Sequence, residues 1–175
     1  MKTNFVYEDK EIAKFHIPRW NELPNIDLYS DQLVSLLEQY LSNYIKDENE
    51  SEKEKEEKII TKTMINNYVK HKIIKPPINK KYNKEHISLL FIICILKQVY
   101  SINDIVELIN LALTTASPEK AYNHFCNELE KAIKLTFTGE EYTKHKLVTK
   151  EIYILRNVVQ SFANKLYVKR IFLKK

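Results

Sequence analysis

A single glycine, Gly139, occurs in 175 residues. Loops that cradle phosphate need several glycines so that the backbone can approach the ligand, and tight hairpins also favour glycine. Nucleotide-binding α/β folds and all-β folds are therefore excluded as expectations. Cysteine is almost as scarce, with only Cys94 and Cys126. Cys94 sits inside the apolar run LLFIICIL and reads as a reduced, buried thiol, which fits a reducing cytoplasm. The longest apolar run, Leu89 to Leu96, falls far short of the roughly 20 residues a bilayer requires. The first residues, MKTNFVYEDKEIAKF, contain no apolar core of a secretion signal. No membrane association is expected, and a cytoplasmic location is. Arginine contributes only Arg19, Arg156 and Arg170 to the 28 basic residues, so lysine carries nearly all the positive charge.

What the chain has in quantity is helical periodicity. Residues 1–29 form an irregular N-terminal segment, broken by Pro18 and Pro24, with IPRWNELP as a single turn and Trp20 packed on the body. Ser30 reads as an N-cap, with Asp31 favourable in the first turn. Leu33, Leu36, Leu37, Tyr40, Leu41 and Tyr44 then mark an amphipathic helix of about four turns. The stretch 46–58, KDENESEKEKEEK, has seven acids, four lysines and no apolar residue. It is either a disordered linker or a solvated helical extension. A short helix follows from Thr61 to His71, and INKKY reads as a connection. Asn83 caps a helix to about Lys97 that is apolar nearly all round and should be the central core element. Ser101, with Asp104 three residues on, opens a fourth helix with Ile102, Ile105, Val106, Ile109 and Leu113 on its apolar face.

Ser117-Pro118 is a cap followed by proline at the first helical position, and Gly139 is a helix stop. Between them, Tyr122, Phe125, Leu129, Ala132 and Ile133 form a stripe reaching about Phe137. The last helix, about Val148 to Val168, carries a seam of Ile152, Leu155, Val159, Phe162 and Leu166. That seam can pack within the chain or pair with a second copy. The fold class is all-α. A helical domain occupies 30–115 and a C-terminal helical pair, a possible dimerisation element, occupies 116–175.

Positive charge is focused rather than spread. From Ile59 to Tyr100 there are eight lysines and one acid, Glu85, a local net charge of +7 against +5 for the whole chain. On a helical wheel of Thr61–Lys72, Thr61, Met64, Ile65, Tyr68 and Val69 form one arc. Thr63, Asn66, Asn67 and Lys70 form the other, flanked by Lys62. Asparagine can bond adenine in bidentate fashion, and lysine reaches guanine acceptors or phosphate. This chemistry suits a major groove, with Lys80 and Lys81 in the following connection within reach of a backbone.

ITKTMINNYVKHKIIKPPINKKYNKEHISLLFIICILKQVYSINDIVELI resembles the DNA-binding half of MerR-type regulators. Tyr68 matches the tyrosine of that family's recognition helix, Ile74-Lys75-Pro76 the element after its turn, and Lys81-Tyr82 the end of its wing. Lys72 stands where the family has glycine, and the wing is shorter. The resemblance implies a helix-turn-helix with a short wing. Lys62, Thr63, Asn66, Asn67 and Lys70 would face the groove, and Lys80, Lys81 and Tyr82 would be wing contacts. Across most of the chain, IPRWNELPNIDLYSDQL, ITKTMINNYVK, IIKPPINKKY and ILKQVYSINDI resemble an uncharacterised bacterial family known only as a domain of unknown function. That resemblance implies a helical, MerR-like architecture and a regulatory role.

Catalysis is not expected. His16, His71, His86, His124 and His145 are scattered, and His124-x-Cys126 offers two ligands where a closed metal site needs four. Glu140-Glu141 are paired carboxylates with nothing nearby to desolvate one of them. The expectation is a transcription regulator binding double-stranded DNA as a homodimer, with no metal and no cofactor. Its rival is a helical protein-interaction module of the same fold.

Overall fold

The computed structural model describes residues 12–46, 58–142 and 148–173. Among them, short 3-10 turns at Ile12–Lys14 and Trp20–Glu22 precede a two-residue strand β1 (Leu28–Tyr29) and helix α1 (Ser30–Ile45). Helix α2 (Lys62–Lys70), strand β2 (Lys81–Tyr82) and helix α3 (Lys84–Leu96) follow, then α4 (Ile102–Thr115), α5 (Pro118–Thr138) and α6 (Lys150–Ile171). The molecule is mostly helical, as the periodicity implies. Among the described residues the sheet is β1 antiparallel to β2, with Leu28 opposite Tyr82 and Tyr29 opposite Lys81. No helix among the described residues is long and apolar enough to cross a membrane.

Helix α3 sits in the centre because it has no polar side to offer water. Ile87, Leu90, Phe91, Ile93, Cys94, Ile95 and Leu96 are all buried. The Asn83 side chain accepts from the His86 amide at 3.2 Å and so caps the helix. Around it pack α1 through Leu33, Val34, Leu37 and Leu41, and α5 through Tyr122, Phe125 and Leu129. Tyr122 is fully buried, edge-on to Trp20 at 6.4 Å, and its hydroxyl donates to the Pro18 carbonyl at 2.8 Å. Both cysteines are free and buried, and burial pushes each thiol up to about 12.

Helices α5 and α6 lie side by side and run in the same direction. Glu128 meets Arg156, Thr136 meets Gln160, and Phe137 meets Tyr167, so partners advance together along both helices. Past Gly139, the Tyr142 hydroxyl donates to the Glu128 carbonyl at 3.4 Å and its ring lies beneath Lys131 and Arg156. Val159, Phe162 and Leu166 of the seam are buried inside this packing, while Ile152 and Leu155 are half-buried. At its far end α6 reaches the first helix, with Lys169 Nζ donating to the Ile45 carbonyl at 3.0 Å. Arg170 likewise donates to the Asn43 carbonyl. These groups serve the carbonyls that a helix C-terminus leaves unpaired.

Two local expectations need correction, and the INKKY connection takes a defined form. Tyr29, not Ser30, is the residue before the first helical one, and its amide donates to Gln32 Oε1 at 2.9 Å. A tight hairpin does form despite the lack of glycine. Ile78 and Lys81 exchange two backbone bonds across Asn79 and Lys80, whose φ angles are 49° and 61°. Asparagine tolerates the left-handed region because its short side chain bonds locally, and lysine there carries the strain. Lastly, of the apolar face on α4 only Ile105 is fully buried, and Leu113 is 41% exposed.

The charged stretch 47–57 lies outside the described residues, but its two ends meet. Glu38 receives Lys46 Nζ at 3.0 Å on one oxygen and the Ile59 amide on the other. Lys97 donates to the Ile59 carbonyl, and Ile59 and Ile60 are buried. The described chain therefore stops and resumes at one carboxylate, and α2 packs on α1.

Candidate nucleic-acid interface

Helix α2 is defined at both ends by local chemistry. The Thr61 hydroxyl accepts from the Met64 amide at 3.2 Å, an N-cap that satisfies one orphan donor. The helix ends with Lys72 in the left-handed region at φ 58°. Its amide donates to the Val69 carbonyl at 3.0 Å, and the Ile73 amide donates to the Tyr68 carbonyl at 2.8 Å. Those two bonds define a Schellman ending, a position usually held by glycine. Replacing Lys72 by glycine should remove the Cβ strain and stabilise the fold by about 0.5–1 kcal/mol, net of glycine's larger unfolded-state entropy. Urea unfolding would show this as a higher midpoint at unchanged slope.

Burial divides α2 as its wheel predicts. Ile65 is fully buried, and Met64, Tyr68 and Val69 are half-buried against the body. Burial raises the Tyr68 phenol above its ordinary value. Lys62, Thr63, Asn66, Asn67 and Lys70 are all exposed on the outward face. Lys62 is ion-paired with Asp31 at the start of α1. Lys81 Nζ lies 5.0 Å above the centre of the Tyr29 ring, a cation–π contact. The corner 29–31 therefore stands between Lys62 and Lys81 and gathers the N-terminal end of α2 and the hairpin onto one edge. Lys80 is exposed at the hairpin tip.

Tyr82 does not belong to this surface. It is 3% exposed, opposite Leu28 in the strand pair, with its ring edge-on to His86 at 5.3 Å. Its phenol is raised by burial. The residue anchors the hairpin base and cannot present its ring to a ligand. Side chains alternate across a strand, so with Lys81 outward Tyr82 has to point inward.

Two further lysines of the basic window are turned inward. Lys84 donates to the Trp20 carbonyl at 3.1 Å, and Lys97 to the Ile59 carbonyl. The linear charge count thus overstates the outward field. Conversely, Lys72 and Lys75 are exposed just beyond α2 and extend the surface beyond the residues that the helical wheel selects. Lys75 is paired loosely with Glu85 at 3.4 Å. The turn carrying it is fixed by His86, whose Nε2 lies 3.1 Å from the Lys75 carbonyl while its Nδ1 lies 3.2 Å from the Asn83 amide nitrogen. The same Nδ1 lies 2.8 Å from the Asn83 Oδ1, so the ring is held on both sides.

The remaining candidates do not converge. His124 is exposed and Cys126 is buried, as expected for positions two apart on a helix. Glu140 and Glu141 are both exposed. A cluster that periodicity does not reveal joins the N-terminal segment to α5. Arg19 makes a two-pronged pair with Glu130, at 2.8 and 2.7 Å, and its Nε donates to Asn127 at 2.9 Å. Its partners lie more than a hundred residues away, so no local pattern could have found them.

An all-helical body with a small strand pair, and a short capped helix presenting a lysine- and asparagine-bearing face, is the setting for the chain's membership. Residues 18–125, more than half of the chain, match the family described as a domain of unknown function, DUF1836, and the protein belongs to that family. No curated protein and no solved structure matches the chain.

Proposed function

We propose that the protein is a DNA-binding transcriptional regulator with a MerR-like helix-turn-helix, in which α2 enters the major groove of duplex DNA and the Asn79–Lys80 hairpin lies along the adjacent backbone. The observation that carries this reading is the exposed face of α2. Asn66 and Asn67 supply amides for base edges, and Lys62, Lys70, Lys72 and Lys80 supply charge on neighbouring exposed positions. The face has no other work in the fold apart from Lys62, whose ammonium is shared with Asp31. Paired half-sites are the usual way such modules gain affinity, so a homodimer on DNA is part of the proposal.

A second reading, a protein-interaction module, is favoured by one observation. Ile26, ahead of β1, and Ile78, in the hairpin, are 69% and 67% exposed. Titration of the protein against random duplex DNA at two salt concentrations separates the readings. About four phosphate contacts would lower affinity by roughly two orders of magnitude between about 50 and 200 mM salt. Absent or salt-independent binding would overturn the DNA reading and leave the interaction module.

A further inference from the structure

Between Ile87 and Leu96 on the central helix, only Leu89 and Ile92 escape burial. They are three positions apart and so share one side of α3. On that side the helix meets α4, α5 and α6 without being covered, and a cavity of about 120 Å³ remains. Its walls are Leu89, Ile92, Ile109, Ala112, Phe125 and Leu155, drawn from all four helices. The exposure of α4's apolar face has the same cause. Ile109 and Ala112 border this void.

The size is informative. A purely apolar cavity of about 150 Å³ stays dry and takes up benzene or xenon. The present space is of that order, so it matches a single six-membered ring and is too small for a steroid or a long acyl chain. The charge around it is informative too. Glu85 and Glu151 are the carboxylates bordering the cavity, and among the described residues His124 is the only basic side chain there. Glu85 holds Lys75 only at 3.4 Å, and the Lys75 side chain is 76% exposed. That ammonium can swing into water and release the carboxylate.

We infer that this cavity is a binding site for a small monocyclic amine, with the ring between Leu89, Ile92 and Phe125 and the ammonium directed to Glu85 or Glu151. Burial of the ring removes apolar surface from water on both sides of the contact. A carboxylate-bearing ring of the same size meets two like charges and is rejected.

The probes are benzylamine, toluene and benzoate, added to the full chain in thermal unfolding and in NMR of methyl-labelled protein. Benzylamine should raise Tm by a few degrees near saturation and shift the Leu89 and Ile92 methyl signals. Toluene should bind at least fivefold more weakly, and benzoate should give no response. Ala112→Phe fills the space and should abolish the benzylamine shift. Glu85→Gln together with Glu151→Gln leaves the cavity and should bring benzylamine to the toluene value. No response to benzylamine, a response that bypasses the Leu89 and Ile92 methyls, or equal binding of benzoate overturns the inference. The wild-type methyl measurement decides the matter even if Ala112→Phe does not fold.

Discussion

Alanine at both Asn66 and Lys70 is expected to lower affinity for a selected duplex roughly 100-fold, while the thermal unfolding midpoint stays within a degree or two. A bidentate amide–adenine contact discriminates by about 1–3 kcal/mol, and a lysine contact adds on the order of 1 kcal/mol. Together these reach about 2.8 kcal/mol, which is two decades. Both side chains are exposed, so neither contributes to the core. The two losses also differ in kind. The lysine should reduce the salt slope by about one, whereas the asparagine should relax sequence preference and leave that slope alone. Fluorescence anisotropy with a duplex recovered from a random pool measures both. Unchanged affinity in the double variant would show that another face reads the DNA.

The largest effect on stability is expected from Arg19→Ala. Arg19 and Glu130 are each largely shielded, with about a fifth to a quarter of either side chain exposed (22% and 24%). Removing the guanidinium strands the Glu130 carboxylate, which then has only the Ile17 amide at 3.0 Å and His16 at 3.1 Å. A fully buried pair broken on one side costs about 3–5 kcal/mol, and the partial exposure here reduces that to about 2 kcal/mol. For a chain of this length the midpoint should fall by about 6 °C. Lysine at position 19 should recover only part of this, because it cannot make the two-pronged contact.

The same pair sets an acid limit. Burial alone would raise the Glu130 carboxyl, but the Arg19 hydrogen bonds and the Ile17 amide outweigh it and hold the group below the ordinary carboxylate range. A carboxylate lowered on folding contributes stability that is complete above its unfolded pKa and is lost as pH falls through its folded one. Wild-type stability should therefore drop on acidification below the ordinary carboxylate range, and Arg19→Ala should show a shallower drop there. Chemical unfolding at a series of acidic pH values gives both curves.

The part of the fold that is legible in the sequence is set by the range of the forces involved. Helix ends are legible wherever the capping group is adjacent in sequence, as at Thr61, Asn83, Ser101, Ser117 and Gly139. The buried and exposed arcs of α2 are legible too, because an α-helix fixes the angle between successive side chains. The hairpin is not. Glycine scarcity argues against it, yet pairing of Lys81 and Tyr82 with β1 draws the chain into the turn and imposes the left-handed angles on Asn79 and Lys80. That pairing joins residues more than fifty positions apart, and it also makes Tyr82 a buried anchor where the sequence suggests a contact.

Sequence by itself determined that the chain is helical, where most helices begin and end, and which side of each must leave water. These follow from periodicity and from short-range hydrogen bonds. Only the tertiary structure decided that α6 runs alongside α5 with Val159, Phe162 and Leu166 buried, that Arg19 is locked to Glu130, and that Lys84 and Lys97 turn inward. It alone decided, too, that α3 keeps one uncovered side. Each of these depends on which distant surfaces meet and how completely they fill the space between them, and neither hydropathy nor charge count carries that information.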